Sequence, residues 1–264
     1  MNRTSVKDIL KKYNDGQKIV SLSLYDAWMA ALADQTETDI LLVGDSLGMV
    51  VMGHDSTVPV SMEDMLRHTA SVVRGSSKAL VVGDLPFASY GSFDDALRNS
   101  ARILQETGAG AVKLEGGVDV APIIKKLVQS GVPVMGHIGI LPQSFKLEGY
   151  KIKGRDQAGI DRLLEDAKAL EDAGVFSIVL EGVAEETAAM ITKEINVPTI
   201  GIGAGVGCSG QIQVAHDILG LIEGFKPKHA KQFTDLASTI KTAFSSYVNE
   251  VKDGSFPGQD NTFK

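Results

Sequence analysis

Four acids in this chain each close a short apolar run. Asp45 ends Leu41-Leu42-Val43-Gly44, and Asp84 ends Leu80-Val81-Val82-Gly83 in almost the same phrase. Glu115 ends Ala111-Val112-Lys113-Leu114, and Glu181 ends Ser177-Ile178-Val179-Leu180. The interior of a buried strand has no place for an unpaired carboxylate, so each acid marks where its strand leaves the core. His137 follows a fifth run that ends at Gly136, and Ser46 and Lys113 lie beside the set. Carboxylates gathered at one place repel one another and cannot all stay ionised cheaply. A divalent cation resolves that repulsion, and oxygen-only ligands select a hard ion such as Mg²⁺, which keeps open positions for substrate oxygens. The histidines are scattered and the only cysteine is Cys208, so no zinc spacing exists.

Taken singly, each residue has a plainer reading. A strand-end Asp often caps a helix or a turn. His137 could be a packed histidine bonded to backbone. Lys113, in an apolar strand, could simply pair with Glu115 or Asp84. The recurrence of acids across four strands favours a shared site over four separate caps.

The elements that must position these residues alternate along the chain. A short helix, Ser5 to Tyr13, precedes strands expected at Ile19–Leu24, Ile40–Gly44, Ala79–Gly83, Ala111–Leu114, Val132–Gly136, Phe176–Leu180 and Pro198–Ile202, with an eighth within Gln213–Leu221. Helices are expected between them, at Asp26–Asp34, from Ser61, from Ser92 to Thr107 before Gly108, at Val118–Ser130, Asp156–Asp172 and Ala184–Ile195, and a terminal one at Phe233–Lys252. The tail after Gly254 is expected to be loose. This alternation gives a parallel sheet covered by helices, and eight units favour a single closed (β/α)₈ TIM barrel spanning 1–264, an α/β fold with a short N-terminal helix and a C-terminal helix. No G-x-G-x-x-G follows the first strand, which weakens an open dinucleotide-binding sheet.

Barrels place their chemistry at the C-terminal ends of the strands. Asp45, Asp84, Glu115, His137 and Glu181 therefore reach one rim from five consecutive strands. Lys113 and Glu115, two residues apart, face the interior together. An ion beside Lys113, His137 and Ser46 suits an α-keto acid held through carboxylate and keto oxygens, with Glu181 as acid or base. The irregular stretch Ile138–Arg155, with Lys146, Lys151, Lys153 and Arg155, reads as a solvated loop face or as a lid over an anionic cosubstrate. Gly201 to Gly205 could cradle a phosphate, but close backbone packing is the favoured reading.

The totals bound the partners. The formal net charge is −7 over 264 residues, which argues against nucleic acid and against an anionic membrane surface. The segment Met1 to Asp15 has no apolar core, so it reads as neither a signal peptide nor a membrane span. One cysteine excludes an internal disulfide framework and suits a reducing, cytoplasmic setting.

The chain resembles the ketopantoate hydroxymethyltransferase family from Lys18 to Pro257. The resemblance rests on Tyr25-Asp26, Val43-Gly44-Asp45-Ser46, Gly83-Asp84-Leu85-Pro86-Phe87, Val112-Lys113-Leu114-Glu115-Gly116, Gly136-His137-Ile138-Gly139, Gly149-Tyr150-Lys151, Leu180-Glu181, Gly201-Ile202-Gly203-Ala204-Gly205 and His216-Asp217, in this order and spacing. It implies a (β/α)₈ barrel assembled as a homodecamer of two pentamer rings. It implies transfer of a hydroxymethyl group from 5,10-methylenetetrahydrofolate to 3-methyl-2-oxobutanoate, giving 2-dehydropantoate and tetrahydrofolate. Asp45 and Asp84 match the family's Mg²⁺ ligands, and Glu115 a third carboxylate that reaches the metal directly or through water. Asp45, Ser46, Asp84, Lys113 and His137 match the positions around the keto acid, and Glu181 the proton acceptor and donor. Two departures stand out: Glu148 before Gly149 where paired glycines are frequent, and Gly182 where a cysteine is common. A keto-acid lyase or mutase of the phosphoenolpyruvate mutase/isocitrate lyase type is the rival enzyme reading, although its cysteine-bearing phrase is absent. A barrel that only binds a metabolite is the non-enzymatic one.

Overall fold

The computed structural model describes residues 3–224 and 227–263 and divides into two compact units, 1–214 and 215–264. The first unit holds a closed barrel of eight parallel strands, each paired with its sequence neighbour and the last with the first. The strands are β1 Ile19–Ser23, β2 Ile40–Val43, β3 Leu80–Asp84, β4 Ala111–Lys113, β5 Val134–Gly139, β6 Ser177–Glu181, β7 Thr199–Ile202 and β8 Gly210–Val214. Its helices are α1 Val6–Asn14, α2 Ala27–Ala33, α3 Leu47–Val50, α4 Met62–Gly75, α5 Phe93–Thr107, α6 Ala121–Gln129, α7 Phe145–Glu148, α8 Gln157–Ala173 and α9 Glu185–Glu194.

The helices begin where the sequence supplies caps. Ser61 and Asp64 form the reciprocal capping box of α4, Ser92 caps α5 and Asp156 caps α8. Gly108 and Gly174, in the left-handed conformation, close α5 and α8.

Alternate residues of each strand fill the barrel. Ile40 and Leu42, Leu80 and Val82, Ala111, Met135, Val179, Ile200 and Ile202, and Ile212 form one buried cluster. Ile9 of α1 joins this cluster, with Val6 and Tyr13 packed against it. Continuing the same alternation along β3 to β6 reaches Asp84, Lys113, Glu115, His137 and Glu181. The apolar layers thus give way to ionisable ones along a single interior face.

Two expectations need correction. The eighth strand lies at Gly210–Val214, ahead of its expected position, and the following Ala215–Ile218 is a short helix, α10. The return from β7 to β8 uses residues 203–209 with no helix, which the compact glycine-bearing turn allows. At Gly205 (φ +79°), a Cβ would lie 2.4 Å from the Glu185 side chain, so this loop packs its backbone tightly against its neighbour. His137 does not end β5. The strand runs on to Gly139, paired with Glu181 of β6. Gly139 (φ +104°) permits this, since a Cβ there would stand 2.2 Å from the Glu181 carbonyl oxygen.

The second unit contains α10 and α11, Leu236–Asp253. Within it, Phe233 N–H donates to Ile218 O (2.8 Å) and Leu236 N–H to Leu219 O (3.0 Å). A 3-10 turn at Gln259–Asn261 follows in the tail that was expected to be loose. Among the described residues, no helix is long and apolar enough to cross a membrane.

One buried acid works for the fold alone. Asp34, after α2, accepts from Ser76 Oγ (2.7 Å), Ser77 N–H (2.8 Å), Lys78 N–H (3.0 Å) and Ala79 N–H (3.1 Å). Burial would raise its pKa, but these donors outweigh burial and hold it well below the ordinary carboxylate range. A depressed folded-state pKa adds stability at neutral pH that is lost as pH falls below the ordinary aspartate range. Asp34→Ala is expected to lower unfolding free energy by about 1.5–3 kcal/mol at neutral pH. Denaturant titrations over a pH series should show that difference shrinking as the solution is acidified.

Candidate active site

The C-terminal rim is built from side chains that leave the strands one after another. Asp84 ends β3 and Lys113 ends β4, opposite each other in register. Their side chains meet at 2.7 Å, and Lys113 Nζ lies 3.9 Å from Glu115. His137 stands between two acids, with Nδ1 3.4 Å from Glu115 and Nε2 3.3 Å from Glu181. Its ring nitrogens therefore face carboxylates, which sets aside the reading of a histidine bonded to backbone.

Asp45 comes just after β2. Its backbone N–H donates to Asp84 Oδ2 (3.3 Å), and its own Oδ2 accepts from Gln143 Nε2 (2.9 Å). The helix that follows, α3, has no side-chain cap, so Asp45 is not a helix cap. Ser46 Oγ lies 2.8 Å from the Tyr25 hydroxyl, which also accepts from Ser23 Oγ (3.1 Å). The structure thus brings Asp45, Asp84, Lys113, Glu115, His137 and Glu181 into one connected neighbourhood, with Ser46 beside Asp45 in the chain.

Charge balance in this neighbourhood is uneven. Asp84 has Lys113, and Glu115 and Glu181 share His137. Among the described residues, Asp45 has a single amide donor and no ion pair. Burial, then the Asp84 and Glu115 charges, push its carboxyl well above the ordinary aspartate range. Asp84 is also raised, by burial first, against the pull of Lys113. Burial would raise Glu115 too, but His137, Lys113 and the Gln143 N–H hold it below its ordinary value. His137 is raised to about 9: burial and Lys113 oppose its charge, and the two flanking glutamates outweigh them. The imidazole is accordingly protonated at neutral pH.

Exposure separates roles within the set. The Glu181 side chain is 24% exposed, whereas those of Asp84, Lys113, Glu115 and His137 are at most 5% exposed. Glu181 is the most solvent-accessible of these acids. Two further residues carry no recognisable signal in the sequence. Gln143, in the turn Pro142–Ser144, joins Asp45, Glu115 and Leu85, and Tyr90 donates to it. The basic residues Lys146, Lys151 and Arg155 are exposed. Lys153 is tied by its backbone to Gly182 and Ala184 at the end of β6.

Could this donor set hold a divalent ion? Among the described residues, no three Asp, Glu, His or Cys side chains converge into a metal cage by themselves. Mg²⁺ does not need one, because it binds through one or two carboxylates and fills its remaining positions with water and substrate oxygens. A buried carboxylate without an ion pair, next to a second acid, fits that requirement.

The sequence and the barrel are similar to those of known proteins. The family model described as "Ketopantoate hydroxymethyltransferase" matches residues 3–259. The chain belongs to the ketopantoate hydroxymethyltransferase family. It is 52% identical to the 3-methyl-2-oxobutanoate hydroxymethyltransferase of Chloroflexus aurantiacus, over 98% of this chain and 92% of that one. It is equally 52% identical to the enzyme of that name from Carboxydothermus hydrogenoformans, over 100% of this chain and 96% of that one. Among solved structures, the barrel of this family member overlays 2,3-dimethylmalate lyase, a PEP mutase/isocitrate lyase superfamily member. That match has a TM-score of 0.61 and 16% identity over 99% of this chain and 92% of the other, a likeness of fold. Cys208 is buried between β7 and β8 and takes no part in the rim network.

If the unpaired, buried Asp45 carboxyl opposes folding until an ion is present, Asp45→Asn is expected to raise the unfolding free energy in chelator by about 1 kcal/mol, seen as a higher thermal midpoint. Mg²⁺ should raise the midpoint of the parent and not of the variant. A variant less stable than the parent in chelator would make Asp45 a structural residue.

Proposed function

We propose that this protein transfers a hydroxymethyl group from 5,10-methylenetetrahydrofolate to 3-methyl-2-oxobutanoate, forming 2-dehydropantoate and tetrahydrofolate. The observation that carries this reading is its near-full-length similarity to relatives bearing that name. The rim supplies groups suited to the chemistry. Asp45 and Asp84 would hold Mg²⁺, with Glu115 acting directly or through water. The bound ion would polarise the keto group and stabilise the charge that builds on its oxygen.

The chain's own residues do the rest in this reading. Lys113, fixed by Asp84, presents a cation to the keto acid. Ser46, held by Tyr25, offers a hydroxyl. His137 stays protonated between Glu115 and Glu181, so it orients the Glu181 carboxylate and adds a positive charge beside the keto acid. Glu181 takes the C3 proton of the keto acid, and the carbon nucleophile so formed bonds to the one-carbon unit of the folate. One water supplies the hydroxyl oxygen, both carbon–nitrogen bonds to the folate break, and the two folate nitrogens take up the protons released by the water and the keto acid. Glu181 then has a proton to return. The rival lyase or mutase chemistry shares the fold, but Cys208 offers no counterpart to its cysteine-bearing phrase. A cytoplasmic homodecamer of two pentameric rings completes the proposal and rests on the family resemblance.

In deuterium oxide with Mg²⁺ and no folate, the enzyme is expected to exchange the C3 proton of 3-methyl-2-oxobutanoate, followed by proton NMR. Glu181→Gln should slow exchange by about 10²–10⁴-fold. Full exchange by that variant would remove Glu181 from the base role.

A further inference from the structure

Gln143 is neutral and lies in a turn, yet it joins acids that leave separate strands of the rim. Its side-chain amide reaches Asp45 Oδ2 (2.9 Å), 98 positions away in the chain, and Leu85 O (2.9 Å), the carbonyl next to Asp84. Its backbone N–H donates to Glu115 Oε2 (3.1 Å). One residue therefore touches two of the three candidate ligand acids and the backbone beside the third.

The orientation of the amide follows from its partners. A carboxylate and a carbonyl can only accept, so both Nε2 hydrogens are committed to Asp45 and Leu85. Oε1 is left facing Tyr90, whose hydroxyl donates to it at 2.6 Å. Three partners from two segments of the chain, those following β2 and β3, fix the amide in one rotamer and one flip state. Gln143 is buried, so water does not compete for these bonds. Among the described residues, no other side chain hydrogen-bonds the Asp45 carboxyl, so the tie to Oδ2 leaves Oδ1 available.

We propose that Gln143, oriented by Tyr90, is a positioning residue that sets Asp45 and Glu115 for divalent-ion binding and couples the turn Pro142–Ser144 to that binding. The proposal rests on the metal reading given above. Partners that hold a ligand carboxylate in place act on ion affinity as well as on rate, typically by 10–100-fold. The 138–155 stretch thereby acquires a defined task at its N-terminal end: it carries the side-chain amide that holds Asp45 and the backbone N–H that holds Glu115.

Isothermal titration of the full-length protein with Mg²⁺ alone tests this. Gln143→Leu keeps the volume of the side chain and removes the amide. It is expected to weaken Mg²⁺ binding by about 10–100-fold, and to raise by a similar factor the Mg²⁺ concentration that half-saturates C3 proton exchange, with the rate recovering at saturating ion. Tyr90→Phe should shift both in the same direction by less. A residue that merely packed the core would lower the unfolding midpoint and leave ion affinity alone, so Mg²⁺ affinity equal to the parent's in Gln143→Leu overturns the assignment. Should Gln143→Leu fail to fold, unchanged affinity in Tyr90→Phe overturns it. A parent that binds Mg²⁺ without exchanging the keto-acid proton contradicts the proposed reaction, while the ratio of affinities still decides the role of Gln143.

Discussion

The rim of this barrel buries more acids than it has cations to neutralise. Asp45, Asp84, Glu115 and Glu181 face two cations, Lys113 and His137, and the geometry assigns those cations to every acid except Asp45. Removing an ionised carboxylate from water without a partner costs several kcal/mol. The protein tolerates this at one position because the surrounding acids are fixed by strand register and by neighbours. The same surplus that disfavours an empty site favours a divalent cation, and it links stability, ion binding and chemistry through a single residue.

The architecture follows from keeping that surplus in one place. Residues of one parity along β2 to β7, apart from Ser177, are apolar at the lower levels and plug against α1 through Ile9. The same parity becomes ionisable at the upper level, at Asp84, Lys113, Glu115, His137 and Glu181. The apolar layers hold the frame while the polar layer remains strained. The Asp34 cluster shows the opposite use of a buried acid, saturated with donors from Ser76 to Ala79 and wholly structural.

What was legible in the sequence was what periodicity can carry. Each acid at 45, 84, 115 and 181 interrupts an apolar run, and a run that ends in a charge must surface there. Lys113 was visible for the same reason. The eighth strand was misplaced because the β7–β8 return has no helix to punctuate it and the five-residue strand begins at a glycine that reads as part of the preceding turn. Gln143 and Tyr90 were invisible for a different reason. Neither is charged or periodic, and their importance lies in contacts with Asp45 and Glu115 that span long stretches of chain. His137 was placed on the correct face but at a strand end that lies two residues further on, since only glycine at 139 lets the strand continue past Glu181.

The central claim is that this acidic rim works as an ion-dependent site for hydroxymethyl transfer to a keto acid. Its most direct test is formation of 2-dehydropantoate from 3-methyl-2-oxobutanoate and 5,10-methylenetetrahydrofolate, followed by mass spectrometry with Mg²⁺ and in chelator. The account predicts product with Mg²⁺ and its loss in chelator, with recovery when the ion is restored. No product in the presence of Mg²⁺, or an equal rate in chelator, would contradict it.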